Sequence, residues 1–211
     1  MMNFEVKAHE LKKKVRRTIE NHFTEKSVDS WVQANIWTNG VLSGSAISSI
    51  YHDEKPKDYD IYFKEWEIID AVKDVFKTSL PLQKLIVDWN DYAGNTDIPL
   101  INGKCFTKRA ITLEHDIQYI IMGTLNECRP TFDFIHCMPY YDFAEDKFYI
   151  SERQLQSIAD KMLVFNPLRE KPATQARIEK FQKRGWGLDI RKSILPKADL
   201  TKHAVLVTMD A

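Results

Sequence analysis

Apolar residues recur at three- and four-residue steps from the start of the chain: Phe4, Ala8, Leu11, Val15, Ile19, then His22 or Phe23. That spacing lines one face of an amphipathic helix. Lys12, Lys13, Lys14, Arg16 and Arg17 fall between them and read as a solvated face in preference to a phosphate-binding one. A second helix is predicted from a cap at Ser27 through Val28, Trp31 and Val32. The pattern then changes: Val41-Leu42 reads as a short strand, Ser43-Gly44-Ser45 as a turn, 46–51 as one or two helical turns and 52–57 as a polar loop. Residues 58–63 alternate in β-prone types and predict a strand. Ile68, Ile69, Val72, Val75 and Phe76 predict a helix over 65–77. Further strands are predicted over 85–87, 110–113, 117–122 and 131–137, with a hairpin made of 140–143 and 147–150. Beyond it, 152–162 and 172–184 read as helices, the second stopped by Gly185.

These elements add up to an α+β domain over 1–150, a mixed β-sheet flanked by helices and including the N-terminal helix, followed by a helical extension over 151–211. The length of 211 residues suits one core. With 44% apolar and 28% charged residues and a mean hydropathy of −0.39, disordered, collagen-like and membrane-spanning classes are disfavoured. The longest apolar stretches fall far short of the ~20 residues a bilayer demands. The first residues lack a basic region followed by an apolar core, so the expected compartment is the cytoplasm, with no membrane partner. Thirty basic and thirty acidic side chains cancel, and any argument for a polyanionic partner must rest on local clustering. Cys105, Cys128 and Cys137 show no CxxC spacing and read as reduced and buried rather than as disulfides or a zinc site.

Residues 42–63 carry most of the candidate chemistry. A strand, a Gly-Ser turn at a helix start and a second strand bearing Asp58 and Asp60 lie within one short stretch. Side chains two apart on a strand point the same way, so the two aspartates can offer oxygens to shared divalent cations. Gly44, without a Cβ, lets backbone N–H groups approach a triphosphate, and the Ser45 hydroxyl adds a donor. The plainer alternative is turn chemistry around a proline-containing loop. Asp133 sits in the apolar run Phe132-Asp133-Phe134-Ile135, where a charge is costly unless paired or metal-bound. Either it belongs to the solvated face of an alternating strand, or it joins Asp58 and Asp60 as the third carboxylate of a two-metal phosphoryl-transfer site.

The run Leu42-Ser43-Gly44-Ser45, followed by Pro56-Lys57-Asp58-Tyr59-Asp60-Ile61, resembles the signature of the DNA polymerase β-type nucleotidyltransferase superfamily. It is most similar to the head domain of poly(A) polymerases and CCA-adding enzymes. Residues 172–181 with Arg184-Gly185-Trp186 resemble the neck helix that follows that head. The resemblance implies a triphosphate held by Gly44 and Ser45, and two Mg²⁺ ions bound by Asp58, Asp60 and Asp133. Lys57, Arg177 and Lys180 become lesser candidates for phosphate contacts. Ser43 replaces the first glycine of the family's usual pair, and Ile47-Ser48-Ser49 stands where CCA-adding enzymes carry an Arg-Asp pair. These departures point to an acceptor other than the one CCA addition uses.

His136-Cys137 reads as a buried structural pair rather than a thiol nucleophile, and Glu145-Asp146-Lys147 as a hairpin turn rather than a nuclease motif. Between Arg169 and Lys202 ten basic residues stand against four acids, an excess suited to a phosphate backbone or to a solvated helix. The expected function is Mg²⁺-dependent transfer of a nucleotide from an NTP to an acceptor hydroxyl, with an RNA or tRNA 3′ end favoured over a protein or small molecule. The alternative is a binding module that keeps the fold without turnover.

Overall fold

The computed structural model describes residues 3–88, 104–169 and 173–189, together with the backbone of 205–207. Helix α1, Phe4–Glu25, starts at Asn3, whose side chain accepts a hydrogen bond from the Glu5 N–H. It buries Ala8, Leu11, Val15, Ile19 and Phe23, the face the periodicity predicts. Its polar side is less solvated than expected. Lys12 is buried and pairs with Asp146 at 3.0 Å; Asp146 also takes Arg16 at 3.2 Å and the Tyr141 hydroxyl. Helix α2, Ser30–Asn39, begins later than predicted, because Asp29 rather than Ser27 accepts the N–H groups of Trp31 and Val32. Ser27 instead occupies the preceding turn at φ 51°.

Strand β1, Gly40–Ser43, leads through Gly44 into α3, Ser45–Tyr51, and then to β2, Tyr59–Phe63. After α4 (Trp66–Thr78) and α5 (Leu80–Gln83) come β3 (Ala110–Leu113), β4 (Ile117–Ile120) and α6 (Leu125–Cys128). The hairpin β5 (Tyr140–Asp142) and β6 (Lys147–Ile150) is followed by α7 (Glu152–Ala159), β7 (Met162–Leu163), α8 (Gln175–Gln182), β8 (Gly187–Leu188) and β9 (Val205–Val207). Seven strands form one sheet in the order β3-β4-β2-β1-β5-β6-β9, with β2 and β4 parallel and every other neighbouring pair antiparallel. The α+β class with a mixed sheet is thus the observed one. The region after residue 151 is more than helical: β7 pairs with β8, and β9 joins the edge of the main sheet. The start of the predicted helix over 172–184 lies partly outside the described residues, and its observed extent is that of α8. Residues 85–87 are not a named strand but lie along β3: Ile86 bridges Leu113, the Val87 N–H donates to Thr112 O, and Leu85 O accepts from the Glu114 N–H.

The two faces of the sheet differ. Leu42, Ile61 and Phe63 point into a large core built with α1, α2, α3 and α4. Val41 and Tyr62, paired across β1 and β2, point the other way into a small cluster with Leu125 and Cys128. By the two-residue period, Asp60 lies on that thinly covered side.

Residues 131–137 are not a strand. They form 3₁₀ turns at Arg129–Thr131 and Ile135–Cys137, with one bridge from Phe134 to Phe165. Pro130 has a fixed φ and no N–H, which suits the first turn. The apolar side chains then diverge: Phe132 packs on Tyr62, Phe134 joins Leu163, Phe181 and Trp186, and Ile135 joins Met138 and Val164. Three separate destinations cannot be met by the two faces of a strand.

The cluster around Phe134 holds α8 in place. Gly185, at φ 82°, reverses the chain: its N–H reaches Gln182 O, and the Trp186 N–H reaches Phe181 O. Trp186 thereby stacks on His136 with ring centroids 4.0 Å apart. His136 is fully buried, and neither ring nitrogen has a hydrogen-bond partner among the described residues. Burial first, then Arg184 and Arg177, pushes it down to about 3. Because the folded state binds this proton less readily than the unfolded chain, His136 contributes stability above pH ~6.5 that is lost as pH falls towards 3. The slope is at most about 1.4 kcal/mol per pH unit. Urea unfolding at pH 7.5 and 4.5 checks this: His136→Phe, which keeps the stack, should lose clearly less stability than the native chain. Equal losses would remove His136 from the acid response.

Candidate active site

Register places the site. Ser43 of β1 stands opposite Asp60 of β2, and Asp60 stands opposite Gln118 of the parallel strand β4. Ser43 is buried, its hydroxyl donating to Pro139 O at 2.9 Å, and the Gly44 N–H donates to Cys137 O at 3.0 Å. These bonds fasten the turn to the 135–137 segment. The Gly44 N–H is therefore committed within the protein, and what Gly44 contributes is space. At φ 90° an added Cβ would lie 2.8 Å from Asp60 Oδ2, so the turn can approach the carboxylate only as glycine.

The result is a cleft of about 280 Å³. Gly44 and Ser45 reach it from the head of α3, Asp58, Asp60 and Tyr62 from β2 and its approach, and Gln118 from β4. Thr131, Phe132, Asp133 and Cys137 line it from the 3₁₀ segment, and Arg177, Lys180 and Phe181 from α8. Seven of the eight residues singled out in the sequence thus share one cavity. The eighth, Lys57, is exposed beside it and acts on Lys180 through its charge.

The electrostatics are those of opposed acids and bases. Burial and the adjacent Asp58 push the Asp60 carboxyl up to about 7, against the pull of Lys180 and Arg177. Lys180 is lowered by burial and then by Arg177, while Asp58 favours its charged form. Arg184 closes the arrangement by donating to Ser49 Oγ of α3 at 3.1 Å. Burial raises the Cys137 thiol to about 12, which disfavours the reactive thiolate; contrary to the expectation of a buried residue, Cys137 is half-buried and lines the cleft.

Asp133 lines the same cleft but is engaged differently. Its Oδ1 meets Arg169 Nη1, and its Oδ2 accepts from Arg177 Nε at 2.8 Å. Among the described residues no group of three or more His, Cys, Asp or Glu side chains is gathered for a metal. Asp58 and Asp60 remain a two-carboxylate donor set, which suits Mg²⁺, an ion commonly held by one or two carboxylates plus substrate phosphates and water. Tyr62 and Gln118 carry no functional reading in the sequence, and Phe132, Arg169 and Arg184 enter it only as neighbours of a motif or members of the basic excess. Tyr62 was within reach of the period-two argument from Asp60. Gln118 and Arg169 arrive through tertiary pairing that carries no local signal.

The fold and cleft define an α+β protein with paired aspartates facing a basic helix across a glycine turn. Residues 9–161 match the model of the Gabija anti-defense 2 (Gad2) family, and the chain belongs to that family. The match takes in Gly44, Asp58, Asp60 and Asp133 and ends before α8. No curated protein and no solved structure matches the chain. No helix among the described residues is long and apolar enough to cross a membrane.

Gly44→Ala tests the turn. It combines a left-handed φ with a clash against Asp60, so a loss of about 1–3 kcal/mol is expected. Thermal unfolding should show it, whereas Gly185→Ala, where the added Cβ meets nothing within 4 Å, should cost only its φ penalty. A smaller loss at Gly44 than at Gly185 would contradict this reading.

Proposed function

We propose that this chain is a Mg²⁺-dependent nucleotidyltransferase that transfers a nucleoside monophosphate from an NTP to an acceptor hydroxyl, and that the acceptor belongs to the Gabija defence system its family is described as opposing. The observation that carries the reading is the opposition of Asp58 and Asp60 to Arg177 and Lys180 across one small cleft. Acids supply the hard oxygen ligands for a cation, and bases neutralise the phosphates that the cation leaves uncovered. The glycine turn supports the reading further, since it keeps the Asp60 side of the cleft open at the head of α3.

In this reading the acceptor oxygen attacks the α-phosphorus, a new P–O bond forms, the bond to the β-phosphate bridging oxygen breaks, and pyrophosphate leaves. The acceptor proton passes to water. When bound, Mg²⁺ supplies charge neutralisation at the triphosphate; Asp58 and Asp60 are the residues that would hold it. Arg177 and Lys180 orient the phosphates from the opposite side, and Ser45 offers a hydroxyl at the cleft. Phe132 and Tyr62 line the cavity beside the aspartates.

A second reading has its own support. Asp133 is held in charge contact with Arg169 and Arg177, a structural use of the carboxylate that a binding module opposing the defence system without turnover would also make. One experiment separates the two. The chain is incubated with each α-³²P-labelled NTP, Mg²⁺ and either purified Gabija components or total RNA. The transferase reading expects label on a defence component, reduced about 10²-fold or more in Asp58→Asn and Asp60→Asn. Label on RNA alone would move the acceptor to a nucleic-acid 3′ end. Absence of label, with both variants still blocking Gabija in cells, would establish the binding module.

A further inference from the structure

The sequence casts Asp133 as a third metal ligand, yet its Oδ2 accepts from Arg177 Nε at 2.8 Å, and its Oδ1, which makes no hydrogen bond among the described residues, lies in charge contact with Arg169 Nη1. Its side chain is only 11% exposed, so the charge sits where compensation matters. The scaffold builds one of these pairs without involving the cleft. Asn166 is buried, and its amide donates to the carbonyls of Arg129, Pro130 and Phe132, at 3.1, 3.3 and 3.1 Å. The Asn166 backbone N–H donates to Asp133 O at 3.1 Å, and its Oδ1 accepts from the Leu168 N–H. The Arg169 N–H then closes onto Asn166 O at 3.2 Å. Residues 129–133 and 166–169 are thus knotted together through one asparagine, which sets Arg169 beside Asp133.

Resting on the nucleotide reading of the cleft, we propose that Asp133 is an arginine anchor and not a cation ligand. It fixes Arg177 of α8 over the cleft, with Arg169 as a second, scaffold-held counter-ion, and leaves the divalent cation to Asp58 and Asp60. Asp133 is then a positioning residue. Its pair with Arg177 joins the 3₁₀ segment to the basic helix.

Two readouts on the full chain test this. The first is binding of Mn²⁺ alone, followed by the electron paramagnetic resonance of the free ion. The native chain should bind one Mn²⁺; Asp133→Asn should bind it within about twofold of the native affinity, and Asp60→Asn should lose at least tenfold. The second is the metal-free melting temperature. Asp133→Asn strands two arginines and should fall by about 5 °C or more, while Asp60→Asn relieves a desolvated carboxylate beside Asp58 and should not fall. If Asp133→Asn proves too unstable to assay, Arg177→Gln replaces it: Mn²⁺ stoichiometry should stay at one. Loss of Mn²⁺ by Asp133→Asn to the same extent as by Asp60→Asn, or a second Mn²⁺ in Arg177→Gln, would make Asp133 a ligand and overturn the proposal. A native chain that binds neither Mn²⁺ nor Mg²⁺-ATP would instead overturn the nucleotide reading itself, and the anchor's purpose with it.

Discussion

The antiparallel register of β1 and β2 sets the acidic side of the cleft. With Ser43 opposite Asp60 and Leu42 opposite Ile61, one face of the pair is committed to the core and the other carries the acid. A slip of one residue would bury Asp60 under α1 and α3 and turn Ile61 towards solvent. The core residues Leu42, Ile61 and Phe63, each at most 1% exposed, therefore hold the register that presents the carboxylate. Gly44 adds a steric condition at the end of β1, since no side chain fits between the turn and Asp60. Stability and site geometry are here the same constraint.

The basic side is attached by different means. Helix α8 has one buried residue, Phe181. A helix of eight residues is marginal by itself. It is kept by the Gly185 reversal, by the stack of Trp186 on His136, and by the Arg184–Ser49 and Arg177–Asp133 pairs. The cost falls on His136, which gives up hydrogen bonds at both ring nitrogens to serve as an aromatic surface. Acids on the sheet and bases on a latched helix make a cleft whose two halves are built by different means and tied together through Arg184–Ser49 and Arg177–Asp133.

Much of this was legible in the sequence. The 3.6-residue period of α1, the alternation of β2, and the Gly-Ser turn between two strands each follow from local chemistry, and together they located Gly44, Ser45, Asp58 and Asp60. The segment around Asp133 was misjudged for a physical reason: an apolar run with one central acid resembles a strand, but its side chains serve three different clusters. The buried Lys12 was hidden in the same way, because its partner Asp146 lies across the fold. Asn166, which organises the Asp133 region, had no signal at all, since its partners are backbone carbonyls distant in sequence.

Anomalous scattering from crystals grown with Mn²⁺ and a triphosphate analogue that cannot be cleaved between its α- and β-phosphates tests the opposed-cleft account most directly. The account requires a manganese peak shared by Asp58 and Asp60, with the phosphates running towards Arg177 and Lys180. Manganese elsewhere on the chain, or phosphates bound away from α8, would contradict it.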